Sequence, residues 1–164
     1  TAVLMGDPNH SGYQFVGKVQ AAVDRPVRVI PGISSLQVAA SRARTPMEAT
    51  CFVTLHKSGD LEPDLRRLRE NVGDRHLLVL PRPYDVMPED VAQALIDDGA
   101  DGALEALVLE RLTHADEAIT RTSLDDLAAR RDEVADGDSP FSDLSVLAVR
   151  AATTGDGSTG AGDL

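Results

Sequence analysis

From residue 50 onward, short apolar runs alternate with helical patterns, and this alternation restricts the folds open to the chain more than any other feature. "TCFVTL" (50–55), "HLLVL" (76–80), "EALVLE" (105–110) and "LSVLAVR" (144–150) are runs of five to seven residues. They are too short for a stable helix, rich in Val and Leu, and bounded by turn residues, so they read as strands. A further strand is expected at 116–121. Residues 61–71, 88–98 and 123–131 carry helical patterns between them. Pro63 and Pro88 suit a first helical turn, where the missing N–H has no intrahelical partner to lose. Gly99, after "ALIDD", reads as the C-terminal cap of its helix. Strands alternating with helices argue for an α/β sheet. The close succession of 105–110 and 116–121 makes that sheet mixed.

Upstream, strands are expected at 1–5 and 27–30 and helices at 12–23 and 34–44. Two strands and two helices are too little for a closed sheet. A break near "RARTPMEAT" (42–50) therefore divides the chain into a partial N-terminal α/β domain, 1–45, and a C-terminal α/β domain, 46–150. Residues 151–164, mostly "TTGDGSTGAGDL", have no periodicity and read as a disordered tail. The chain starts at Thr1, directly in the strand-like "TAVLM", so a fragment or processed product with residues missing upstream is expected.

Charge excludes several function classes. The chain carries 27 acidic and 16 basic residues for a net charge of −11. Nineteen of the acids are Asp, and Lys18 and Lys57 are the only lysines. Such a surface repels nucleic acid and anionic membranes, whose phosphates require a basic face. An Asp-rich, Lys-poor surface also matches a salt-loving cytoplasm. No run approaches the roughly 18 apolar residues of a membrane span. The single Cys51 rules out an internal disulfide and fits a reducing compartment.

Two loops stand out as candidate sites. "GDPNHSG" (6–12) lies between the first expected strand and helix, where an open α/β sheet binds ligands. Gly6 permits a close backbone approach, and the alternative is a plain turn favoured by Asp7–Pro8. "VRVIPGISSLQVAASRA" (27–43) places "PGISS" in the equivalent position, before a helix of mostly small residues. Either that helix packs tightly on its own sheet, or a ligand lies across its start. Ser34 and Gln37 form an S-x-x-Q capping box. The helix-start N–H groups with the hydroxyls of Ser34 and Ser35 could equally hold a ligand oxygen. Neither loop is a G-x-G-x-x-G fingerprint or a P-loop. His56, in "FVTLHKSG", faces a sheet edge or a cleft, as a structural or a functional residue. The four histidines are scattered away from Cys51, so no metal site is expected. The serines have no nucleophile elbow. "DDGADGALE" (97–105) and "RRDEVADGD" (130–138) read as solvated faces and loops.

Taken together, "MGDP", "VRVIPGISSLQVAA", "FVTLHKSG" and "VLERLTHADEAITRTSLDDLA", in this order, resemble the tetrapyrrole methylase family over about residues 2–150. The resemblance implies a two-domain α/β fold with S-adenosylmethionine in the cleft between the domains. It also implies methyl transfer to a ring carbon of a precorrin in cobalamin (vitamin B12) synthesis, at C(5) of cobalt-precorrin-7. Cofactor contacts carried over position by position fall on Met5, Gly6, Asp7, His10, Ser34, Ser35, Pro81 and Leu112. Relatives begin with a strand and a "GxGPG" loop that has no counterpart here, so an incomplete form of the enzyme is expected. "NHSG" also departs from the family's usual continuation of "GDP".

Carbon methylation asks for positioning and exclusion of water more than for a strong base. His56 is the candidate polar aid. A substrate rich in carboxylates calls for local cations despite the acidic surface, and Arg42, Arg44 and Arg82 are the candidates, since guanidinium pairs with carboxylate. A homodimer in the cytoplasm completes the implied picture. Three alternatives stand beside it: a uroporphyrinogen- or diphthine-type methylase, a non-catalytic α/β module binding a small ligand or a partner, and a fragment that assembles with another copy or chain.

Overall fold

The computed structural model describes residues 1–10, 12–83, 85–131 and 138–152. The expected tail from residue 153 and the stretch 132–137 of the expected loop lie outside the described residues. Five strands form one sheet: β1 (Thr50–Thr54), β2 (His76–Leu80), β3 (Glu105–Glu110), β4 (Ala118–Ser123) and β5 (Ser145–Val149). Their spatial order is β1-β2-β5-β3-β4. β1 and β2 run parallel, and the other three pairings are antiparallel, so the sheet is mixed as the sequence implies.

β5, at the centre, is buried along its whole length, which is why it reads as a continuous apolar run. Leu147 and Val149 enter the core on one face, and Val146 and Ala148 the core on the other. β4 forms an edge. Its sequence AITRTS carries polar and charged residues that discourage further pairing. β4 begins two residues later than its pattern suggests. Glu117 is spent in the preceding turn, where its N–H donates to the carbonyl of His114 at 3.2 Å.

Three helices cover the first face: α3 (Glu62–Arg69), α4 (Pro88–Asp97) and α5 (Leu124–Ala129). Leu68, Val91, Leu95, Leu124 and Leu127 lock them to the sheet, each fully buried side chain stabilising by about 1.5–3 kcal/mol. α3 and α4 have their prolines in the first turn. α4 ends where Gly99 turns left-handed at φ 90°, letting its N–H reach the carbonyl of Ile96.

α2 (Ser35–Ala43) covers the opposite face with Leu36, Ala39, Ala40 and Ala43, packed on Leu78, Leu107, Leu109, Val146 and Ala148. Alanine at three of these positions lets the helix backbone lie close to the strands. Tight packing on the sheet thus explains the small residues of its body and leaves its first turn to be explained separately.

The two N-terminal strands expected at 1–5 and 27–30 are not formed. Both runs are irregular, and among the described residues neither joins a ladder. A strand exists only through its neighbour's N–H and C=O groups, and an apolar run does not reveal whether a neighbour is there. Val3 and Met5 are each 89% exposed. The two runs flank a groove of about 600 Å³ together with Phe15, Val16 and Val19 of α1 (Tyr13–Ala21). No helix among the described residues is long and apolar enough to cross a membrane.

Candidate functional site

The parallel pair β1/β2 and the antiparallel insertion of β5 bring four chain ends to one rim: the last residues of β1, β2 and β3, and the first of β5. This is the carboxyl edge of the sheet, where α/β folds place ligands. The loop of residues 5–10 and the start of α2 approach it from the α2 face.

Both loops are held by internal polar contacts. Asp7 is only 8% exposed. Its Oδ1 accepts from the Asn9 backbone N–H at 2.7 Å and from Asn9 Nδ2 at 2.8 Å. The Asn9 backbone N–H, foremost, with its side chain, the Gly32 amide and nearby His10, holds this carboxyl below its ordinary range against the opposing effect of burial. Asp7 therefore shapes its own turn and ties it to the "PGIS" loop. Gly6 adopts φ 63°, a region that glycine enters without a steric penalty. A Cβ on Gly32 would lie 3.0 Å from the Gly6 carbonyl carbon and nearer still to its oxygen. The two loops touch backbone to backbone.

At the start of α2 the expected capping box is present. Ser34 Oγ accepts from the Leu36 N–H at 3.1 Å, and Gln37 Oε1 accepts from the Ser34 N–H at 2.7 Å. Capping occupies Ser34, whereas Ser35 next to it is exposed.

Two clefts open at the rim. The first, about 520 Å³, is walled by Met5, Gly6, Asp7 and His10, by Ser34, Ser35 and Val38 of the α2 region, and by Leu80, Arg111–His114 and Asp143–Val146. The second, about 860 Å³, is more polar and is lined by Asn9, Tyr13, Thr54, Lys57, Ser58 and Arg82. His10, His56 and Asp143 line both, so they stand where the clefts meet.

Of the residues singled out in the sequence, Met5, Gly6, Asp7, His10, Ser34, Ser35 and Leu112 come together in the first cleft. Pro81 is buried and lines neither cleft, whereas its neighbours Leu80 and Arg82 line the first and the second cleft. His56 lies exposed two residues past β1. The three arginines separate. Arg82 lines the second cleft, paired with Asp85 at 2.5 Å. Arg42 lies outside both clefts and pairs with Glu117 at 2.7 Å. Arg44 ends α2 in a left-handed conformation, also outside both clefts.

Sequence reasoning reached the Arg111–His114 wall only at Leu112, and missed Arg111, Thr113, His114 and Lys57. Lys57 is one of only two lysines and sits next to His56, a signal that was available; it pairs with Asp64 at 2.5 Å. The wall gave no such signal. Arg111 and Thr113 adopt φ 47° and 71°, each costing about 1–2 kcal/mol for a residue with a side chain, and no residue type there announces it.

A family described as Tetrapyrrole (Corrin/Porphyrin) Methylases matches residues 2–128. The chain belongs to this family. A probable cobalt-precorrin-7 C(5)-methyltransferase of Methanocaldococcus jannaschii is 33% identical over 123 residues, which is 75% of this chain and 56% of the relative. Among solved structures, precorrin-6Y methylase from Archaeoglobus fulgidus aligns at a TM-score of 0.55 with 24% identity, over 89% of this chain and 59% of its own. Uroporphyrin-III C-methyltransferase from Thermus thermophilus, solved with S-adenosylhomocysteine, aligns at 0.61 with 22% identity, over 88% and 60%. These structural likenesses establish the tetrapyrrole methylase fold. The family chain described here thus spans somewhat more than half the length of the relatives it matches.

Proposed function

We propose that the 520 Å³ cleft binds S-adenosylmethionine and that the chain serves a methyltransferase acting on a ring carbon of a precorrin in cobalamin synthesis, at C(5) of cobalt-precorrin-7. One observation carries the reading: seven of the eight cofactor positions implied by the sequence resemblance line a single cleft. The 33% identity to a C(5)-methyltransferase supports the choice of carbon, and the uroporphyrin methyltransferase solved with S-adenosylhomocysteine supports the choice of cofactor.

The residues present fit the group. The volume lies in the range of small-molecule sites. Gly6, at φ 63°, gives the wall a turn that carries no side chain. Val38, Leu80, Leu112 and Val146 offer apolar surface to a purine, and the Ser35 hydroxyl and helix-start N–H groups suit polar atoms. When bound, the group supplies an electrophilic methyl on a sulfonium.

The chain's own residues then position the partner and keep water away. His10 and His56, at the junction, flank the place where the two reactants meet. His56 is the side chain available to accept a proton from the methylated ring. In the second cleft, Lys57 and Arg82 present cations to substrate carboxylates, with Asp64 and Asp85 as the partners they share or release. A homodimer belongs to the same reading and is tested by sedimentation equilibrium.

Titration calorimetry with S-adenosylhomocysteine in concentrated salt tests the cofactor assignment. One-site binding that weakens in Leu112→Asp supports it. Heat-silent titration of folded protein sinks it.

A further inference from the structure

The resemblance pointed to a single residue, Leu112, of the Arg111–His114 wall of the cleft, and that wall is strapped to α2. Glu117, at the end of the β3–β4 turn, holds both sides. Its Oε2 accepts from the Thr113 backbone N–H at 2.7 Å. Its Oε1 accepts from Arg42 Nε at 2.7 Å, and Oε2 takes a longer contact from Arg42 Nη2 at 3.4 Å. Arg42 lies in the last turn of α2, one turn beyond Val38, and so belongs to the helix that forms the facing wall. Arg111 and Thr113 are both left-handed without being glycine, a state that persists only where surrounding contacts hold it. Between them Leu112 points into the α2 core cluster and lines the cleft. The pairing with Arg42, foremost, and the Thr113 N–H hold the Glu117 carboxyl below its ordinary range, so it is ionised at neutral pH.

We infer that Arg42 and Glu117 are positioning residues that fix the distance between α2 and the Arg111–His114 loop, and through it the affinity of the cleft for its ligand. The inference rests on the cofactor reading of that cleft. The ion pair is a poor source of global stability: Arg42 is 45% and Glu117 21% exposed, and exposed pairs contribute little. A fold-stabilising role would leave ligand affinity unchanged. A positioning role would change affinity at nearly constant melting temperature.

The test uses the full chain with Arg42→Ala, Arg42→Lys, Glu117→Ala and the double alanine variant. Affinity for S-adenosylhomocysteine, melting temperature and hydrogen exchange of the Thr113 amide are measured for each. Expected is a loss of affinity of about three- to tenfold in either alanine variant and no further loss in the double, because each alanine already removes the shared contact. Arg42→Lys recovers part of the loss. Thr113 exchange rises in all but the wild type, most in Glu117→Ala. Wild-type binding matched within twofold by both alanine variants overturns the inference while leaving the cofactor reading intact. If the wild type itself does not bind, the cofactor reading fails, and Thr113 exchange decides the strap alone: faster exchange in Arg42→Ala upholds it, and unchanged exchange overturns it.

Discussion

Replacing Gly32 by alanine probes the contact on which the first cleft depends. The added Cβ would sit 3.0 Å from the carbonyl carbon of Gly6 and closer to its oxygen, whereas unstrained carbon contacts lie at about 3.5–4.0 Å. One loop must retreat from the other by roughly 1 Å, and neither can yield by rotating a side chain, since the obstacle is backbone. Overpacking of this kind costs about 1–3 kcal/mol. For a chain of this size that lowers the melting temperature by between about 2 and 12 °C. The retreat also pulls the Gly6–Asp7 wall from the start of α2, and affinity for S-adenosylhomocysteine is expected to fall at least about tenfold. Gly17→Ala is the control. A Cβ at this position inside α1 meets nothing within 4 Å, so it should stabilise by about 0.5–1 kcal/mol by favouring the helix. Differential scanning calorimetry and ligand titration read both variants. A Gly32→Ala protein with wild-type melting temperature and affinity would refute the argument, because the two loops would then have room that the geometry denies them.

Leu107→Ala, on β3 beneath α2 and fully buried, should cost about 3–5 kcal/mol; urea denaturation reads this as a lower midpoint at unchanged slope. Asp7 and Glu117 both titrate below their ordinary values of 3.8 and 4.5 when folded. Their stabilisation is therefore complete above about pH 5 and is lost as pH falls through the lower folded values. Asp7→Asn should flatten the acid limb of a stability–pH curve, whereas Glu117→Gln, at an exposed pair, should change it little; an unchanged limb in Asp7→Asn would count against its contacts. Arg82→Ala is expected to weaken binding of a tetrapyrrole polycarboxylate while leaving affinity for S-adenosylhomocysteine within twofold; equal losses for both ligands would move Arg82 out of the second cleft's role.

The sequence made the sheet legible from residue 50 onward because strand length, apolar content and helix punctuation agree there. Pro63, Pro88 and Gly99 all stand at the helix positions their chemistry suggests. Residues 1–5 and 27–30 carry the same apolar signal and yet form no ladder, since pairing depends on a neighbour that a run of residues does not encode. In the candidate site, the small residues at Gly6 and "PGISS" fall on two loops that touch backbone to backbone, because close approach leaves a compositional trace. The Arg111–His114 wall, apart from Leu112, left none: the Thr113 N–H donates to Glu117 Oε2 at 2.7 Å, a contact that residue types do not announce. Arg42 itself shows the limit of proximity along the chain. Ala39, Ala40 and Ala43 face the sheet, which turns Arg42 toward the β3–β4 turn.

Of the strands described, the central one is the last to be made. β5 closes both the gap beside β2 and the gap beside β3, some 70 and 40 residues after they appear on the chain. Until Ser145–Val149 has emerged from the ribosome, β1–β2 and β3–β4 are two separate pairs, each with an apolar inner edge bare. Between the completion of β2 and that of β5 a newly synthesised chain is thus exposed to edge-to-edge association, and a chain stopped after Leu144 would lack the centre of the sheet rather than part of its margin.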